Sequence, residues 1–243
     1  MGVGLGRLIV FLSLISLIAH PSFAGELADF NAAVEKAAVH QRAALSQLRN
    51  GNAEQAGREI EHMSKAWAAL VTRFGSKPPD AFDGNVLYTP TLADVTQRIV
   101  RASRMIGARR GDAAREALTP IRAALSQMRR TSGVTVLADC ILDANTAMDD
   151  FYAFKDNPPD WTRPENRFAV ATKSAVYRRE LQRCDSIAPG QVRADPQFRR
   201  VLDGAFAGLD LVQGAINARD TDLLMRILNE LRSFDTMLAL RYG

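Results

Sequence analysis

Shifting this chain by 110 residues lays its second half on its first, and that offset limits what it can fold into. Trp67 falls on Tyr177, Val71 on Leu181 and Arg73 on Arg183. Tyr88 falls on Phe198, Leu92 on Leu202, Ile99 on Leu209 and Ile106 on Ile216. The turn ARRGD (Ala108 to Asp112) meets ARDTD (Ala218 to Asp222), and Leu118, Ile121 and Arg122 meet Leu228, Leu231 and Arg232. At the front, Leu27 meets Leu137 and Val34 meets Ala144. Any two amphipathic helices match by period, but period alone does not also align turns and loops. The offset therefore predicts one supersecondary unit built twice.

Within each unit the apolar residues recur at helical spacing. In the first they run Leu27, Phe30, Val34, Ala38, Leu45 and Leu48, with polar Gln41 interrupting the stripe. The next stripes are Ala56, Ile60, Met63, Trp67, Leu70, Val71 and Phe74, then Leu92, Val95, Ile99, Ala102 and Ile106. A fourth holds Ala114, Leu118, Ile121, Leu125 and Met128, with Pro120 expected to kink it. No segment alternates with period two, so no strand is expected. Asn50-Gly51-Asn52 and Arg110-Gly111-Asp112 read as tight helix–helix turns, and GSKPPDAFDGNVLYTP and DNPPDWTRPEN as longer connections. The expectation is an all-α protein of two tandem antiparallel four-helix bundles, 25–132 and 133–243, joined near Thr131-Ser132-Gly133.

The N-terminus reads as an export signal. Arg7 precedes an apolar run from Leu8 to Ala19, Pro21 breaks it, and Ser22-Phe23-Ala24 sets small residues at a cleavage site. Residues 1–24 read as a signal peptide and the mature chain as periplasmic. The run is too short for the roughly 20 residues that span a bilayer, so no membrane span is expected after cleavage. Losing Arg7 lowers the formal charge from +4 to +3, and the arginines are scattered rather than clustered, so no nucleic-acid partner is expected.

Cys140 and Cys184 are the only two cysteines. Each lies some twenty residues from the turn near Trp161, so they face each other across an antiparallel pair of helices. The corresponding residues of the first unit are Phe30 and Phe74, an expected aromatic contact at the same end. In an oxidising compartment this predicts a structural disulfide. The alternative, thiols for metal or redox work, lacks C-x-x-C spacing.

FRRVLDGAFAGLDLVQGAINARDTDLLMRILNELRSFDTMLALRYG, Phe198 to Gly243, resembles the closing helical hairpin of cytochrome b562 and its cytochrome c-prime relatives. The preceding CDSIAPGQVRADP is similar to their long second connection. The resemblance implies antiparallel four-helix bundles exported to the periplasm. It also implies haem, and there this chain departs from the pattern. There is no C-x-x-C-H, Ala239 stands roughly where the b-type histidine would, and the first unit's last helix offers Met128 but no histidine. Haem iron needs imidazole, thiolate or a Met/His pair, so no cofactor is expected.

Two candidate sites remain. His40 and His62 each lie eleven residues from Gly51 on opposite arms of the first hairpin, with Met63 adjacent and Glu59, Glu61 and Glu35 nearby. Two imidazoles with a carboxylate or thioether suit zinc or copper. Their angular positions, about 100° and 130° from the apolar centres of their helices, also suit solvated flank residues. The second candidate is MDDFYAFKDNPPDW, where Phe151, Tyr152, Phe154 and Trp161 gather. Such a group packs under a loop as a satellite core or forms a ligand or partner patch. Asp149 and Asp150 diverge around their helix and make no acid/base pair. Without a nucleophile elbow, triad, phosphate loop or H-E-x-x-H, the chain is expected to be no enzyme. The expected function is a non-catalytic periplasmic module binding a protein partner or small ligand. The alternative is electron transfer or metal handling through His40, His62 or Met63.

Overall fold

A computed structural model describes residues 23–243, and no strand occurs among them. The expected signal peptide lies almost wholly outside the described residues. No described helix is long and apolar enough to cross a membrane.

The described residues begin with α1 (Phe23–Arg49) and α2 (Ala53–Phe74), which pack along each other as a hairpin. Gly51 closes the turn with φ +76°, a left-handed conformation that glycine adopts without cost. α3 (Tyr88–Gly107) packs on α2. Pro90 is its third residue rather than part of the preceding loop, a position where the missing N–H removes no intrahelical bond. α4 (Gly111–Leu118) and α5 (Ile121–Thr131) are two segments separated at Thr119-Pro120, the break that proline implies. Gln41, the polar interruption in the first stripe, is buried and its side-chain amide donates to the Leu118 carbonyl where α4 ends. A buried amide is tolerated because its hydrogen bond is made.

The second half runs α6 (Leu137–Tyr152), α7 (Pro164–Ile187), the short α8 (Gly190–Arg193), α9 (Pro196–Asp210), α10 (Val212–Ala218) and α11 (Thr221–Tyr242). α6 packs on α7 and α11, and α11 on α9. Asp220 caps α11, accepting the Leu223 N–H at 2.8 Å. Two features have no counterpart in the sequence reading: the break at Leu211 that divides α9 from α10, and the single turn of α8 within the long connection.

The 110-residue offset reappears in the element boundaries. α2 shifted by 110 covers 163–184 against Pro164–Ile187, and α3 covers 198–217 against Pro196–Ala218. The buried apolar residues form two clusters. One draws on residues between Phe30 and Met128, the other on residues between Cys140 and Leu238.

The halves meet across a polar seam. Arg129 at the end of α5 and Asp139 at the start of α6 form a buried pair, 3% and 1% exposed, with Nε donating at 2.8 Å and Nη2 at 2.5 Å. Arg122 donates to Asn145 Oδ1 at 2.9 Å and to the Ala138 carbonyl at 3.0 Å, and Asn145 donates onward to Asp235 at 2.8 Å. Burial first, and the Arg42 charge second, pull the Arg122 guanidinium down to about 10, still cationic at neutral pH. Arg42 on α1 donates to the carbonyls of Leu240 and Gly243, so a cation from the first half sits at the negative end of α11.

Candidate functional site

His40 and His62 do come together. Equal distances from Gly51 put them level across the hairpin, and their ring centroids are 5.1 Å apart with planes at 60°. The third member is Glu59, one helical turn before His62 on α2, whose Oε2 lies 2.7 Å from His40 Nδ1. One ligating atom from each of the three falls within 4.8 Å of the others. The side chains of His40 and Glu59 are 29% and 19% exposed, and His62 is exposed, so the group lies on the flank of the hairpin and is open to ions. Met63 is not part of it. It follows His62 by a rotation of about 100° and is buried in the core of the first half. The signal that selects Glu59 over Met63 is this spacing: residues three apart share a helix face and adjacent residues do not.

The aromatic group of the second half is engaged internally. Phe151 and Trp161 belong to the buried core, with the Trp161 indole N–H donating to Thr221 Oγ1 at 2.8 Å. Tyr152 donates to Asn229 at 3.1 Å and lies under the Arg232 guanidinium, 4.5 Å from its ring centroid. Phe154 stacks edge-on against Phe151, and Lys173 sits 5.2 Å above its ring.

A surface that sequence reasoning missed lies between α2 and α3. Ser64, Trp67, Ala68, Val71 and Thr72 from α2 face Thr96, Ile99 and Val100 from α3 across a mostly apolar groove of about 270 Å³. Trp67 forms part of its wall, its indole N–H donating to Thr96 Oγ1 at 2.9 Å. In the second half larger side chains stand at the same positions. Ala68, Thr96 and Val100 correspond to Arg178, Phe206 and Asp210. There Arg178 pairs with Asp210 at 2.5 Å and lies 5.9 Å above the Phe206 ring. The signal was present in the offset itself, as small residues in one copy against large ones in the other.

The inward face of the last turns of α11 offers no haem ligand. Ala239 on α11 offers a methyl group, and its inward-facing neighbours are Asp235 and Leu238. None of these supplies the imidazole or thioether that the iron takes. Cys140 and Cys184 are joined in a disulfide across α6 and α7, Cα–Cα 5.4 Å, and so are not free as ligands. No family model, curated protein or solved structure matches the chain.

Proposed function

We propose that the protein is an exported, non-catalytic module of two tandem four-helix bundles, 25–132 and 133–243, resembling cytochrome b562 without its haem. Its first bundle receives an aromatic side chain from a periplasmic protein partner in the groove between α2 and α3. The Cys140–Cys184 disulfide supports an oxidising compartment. The two separate apolar clusters and the matching helix boundaries support the duplication.

The observation that carries the binding role is the contrast between the two copies. The second copy carries a phenyl ring and a guanidinium of its own at these positions, and the first has an apolar groove lined by Ala68, Thr96 and Val100. The groove of the first copy is therefore shaped for a ring brought by another chain. Grooves of this size lined by a few apolar side chains take single anchors rather than whole surfaces.

The test is methyl NMR with N-acetyl-phenylalaninamide as the probe. Shifts are expected at Val71 and Ile99 and none at Leu181 and Leu209. A variant carrying Ala68→Arg and Val100→Asp copies the Arg178–Asp210 pair across the groove while leaving the Trp67–Thr96 bond intact, and it should lose the response. Equal shifts in both halves, or none, refute this reading.

A further inference from the structure

We infer that the α1–α2 hairpin binds a divalent first-row transition ion, Zn²⁺ or its borderline neighbours, between His40, Glu59 and His62. This inference is independent of the groove: it uses another set of residues, and either can fail without the other.

The donor set comes first. Two imidazoles and one carboxylate favour zinc, copper or nickel over the harder ions that prefer all-oxygen sites. A zinc ion bound at 2.0–2.2 Å by such ligands holds the donor atoms roughly 3.3 Å apart in a tetrahedron. His40 Nδ1 and Glu59 Oε2 are already within 2.7 Å, and the whole set lies within 4.8 Å. Closing it requires movement mainly of His62, the exposed member, whose side chain is free to change rotamer. The backbone is already arranged: Glu59 and His62 share one face of α2, and His40 reaches them from α1.

The internal repeat separates binding from a structural role. At the matching positions of the second half stand Asp150, Ala169 and Thr172, and α6 and α7 pack without any such cluster. The hairpin therefore does not need these three residues to form. Three protein ligands at a solvent-facing position leave a fourth site for water or for a donor from another molecule. Structural zinc sites are closed by four protein ligands, whereas sites with three keep a position for water or another molecule. The ion is therefore one with an open coordination position rather than one that holds the fold.

The experiment is calorimetric titration of the chelator-treated protein with Zn²⁺ alone, followed by long-range ¹H–¹⁵N spectra of the imidazoles. One ion per chain is expected, with both rings shifting together. His62→Ala should weaken uptake by at least about 10–100-fold, since losing a ligand costs no less than losing its supporting partner. Glu59→Gln, which keeps a hydrogen-bonding oxygen beside His40 but removes the charge, should weaken it as well. Both variants should melt at the wild-type temperature without zinc, and only the wild type should gain Tm with zinc present. Failure of the wild type to bind, or unchanged uptake in His62→Ala, overturns the inference.

Discussion

Phe30 meets Phe74 edge to face, ring centroids 5.5 Å apart, at the positions that 110 residues further on are Cys140 and Cys184, joined by a disulfide. The same helix pair is thus tied by packing in one half and by a covalent bond in the other. Phe30 also contacts Phe82 at 5.1 Å and Tyr88 at 5.8 Å, so its ring draws the loop after α2 onto the core. Phe30→Ala should cost about 3–5 kcal/mol in chemical denaturation, the usual range for deleting a buried aromatic ring. A loss under about 1 kcal/mol would mean the ring does not carry this end of the first half.

The seam between the halves depends on Arg129 and Asp139. Removing one partner strands a charge at a site only 1% to 3% exposed. Arg129→Met should therefore destabilise by about 3–5 kcal/mol, and Arg129→Met with Asp139→Leu should recover most of that. Denaturation midpoints of the two variants measure the difference. Equal losses in both would show that the attraction itself, rather than the stranded charge, dominates.

Asp235 gives the protein a pH-dependent weakness. Burial pushes its carboxyl up from 3.8 to about 6, against the opposing pull of the Asn145 hydrogen bond and the Arg232 charge. The folded state then holds this proton more tightly than the unfolded chain. Stability from this group is greatest below about pH 4, falls as pH rises to about 6, and stays level above. At 1.36 kcal/mol per unit the swing is about 3 kcal/mol as an order of magnitude. Asp235→Asn retains an acceptor for Asn145 and should flatten this slope between pH 4 and 6. An unchanged slope in the variant would assign the effect to another group.

Tyr177 offers a cleaner contrast. Its hydroxyl is buried and makes no hydrogen bond, although the corresponding Trp67 N–H donates to Thr96. An unpaired buried polar atom costs about 1–3 kcal/mol, so Tyr177→Phe should be neutral or should raise stability by about 1 kcal/mol. A clear loss in thermal unfolding would reveal a partner for the hydroxyl in solution.

Helix spacing, the turn at Asn50-Gly51-Asn52, the break at Pro120 and the cysteine pair were all legible in the sequence, because each depends on local period or local chemistry. The seam was not. Arg129, Asp139 and Asp235 look like surface residues to any reading that sets charge outside, and only tertiary packing turns them inward. The division at Leu211 has no proline to announce it. At the candidate site the level of His40 and His62 followed from counting residues to Gly51. The choice of Glu59 over Met63 needed the rotation between adjacent residues to be applied, because proximity in sequence pointed to the wrong neighbour.

If, as proposed, one four-helix unit is built twice, each copy folds around its own core. Native-state hydrogen exchange, with the Cys140–Cys184 disulfide intact and then reduced, tests it most directly. The bridge spans 44 residues and by chain entropy contributes about 4 kcal/mol at most. Reduction should speed exchange of the slowest amides in α6, α7, α9 and α11 and leave those of α1 to α3 nearly unchanged. Equal acceleration across both sets would make the chain one cooperative unit rather than two copies.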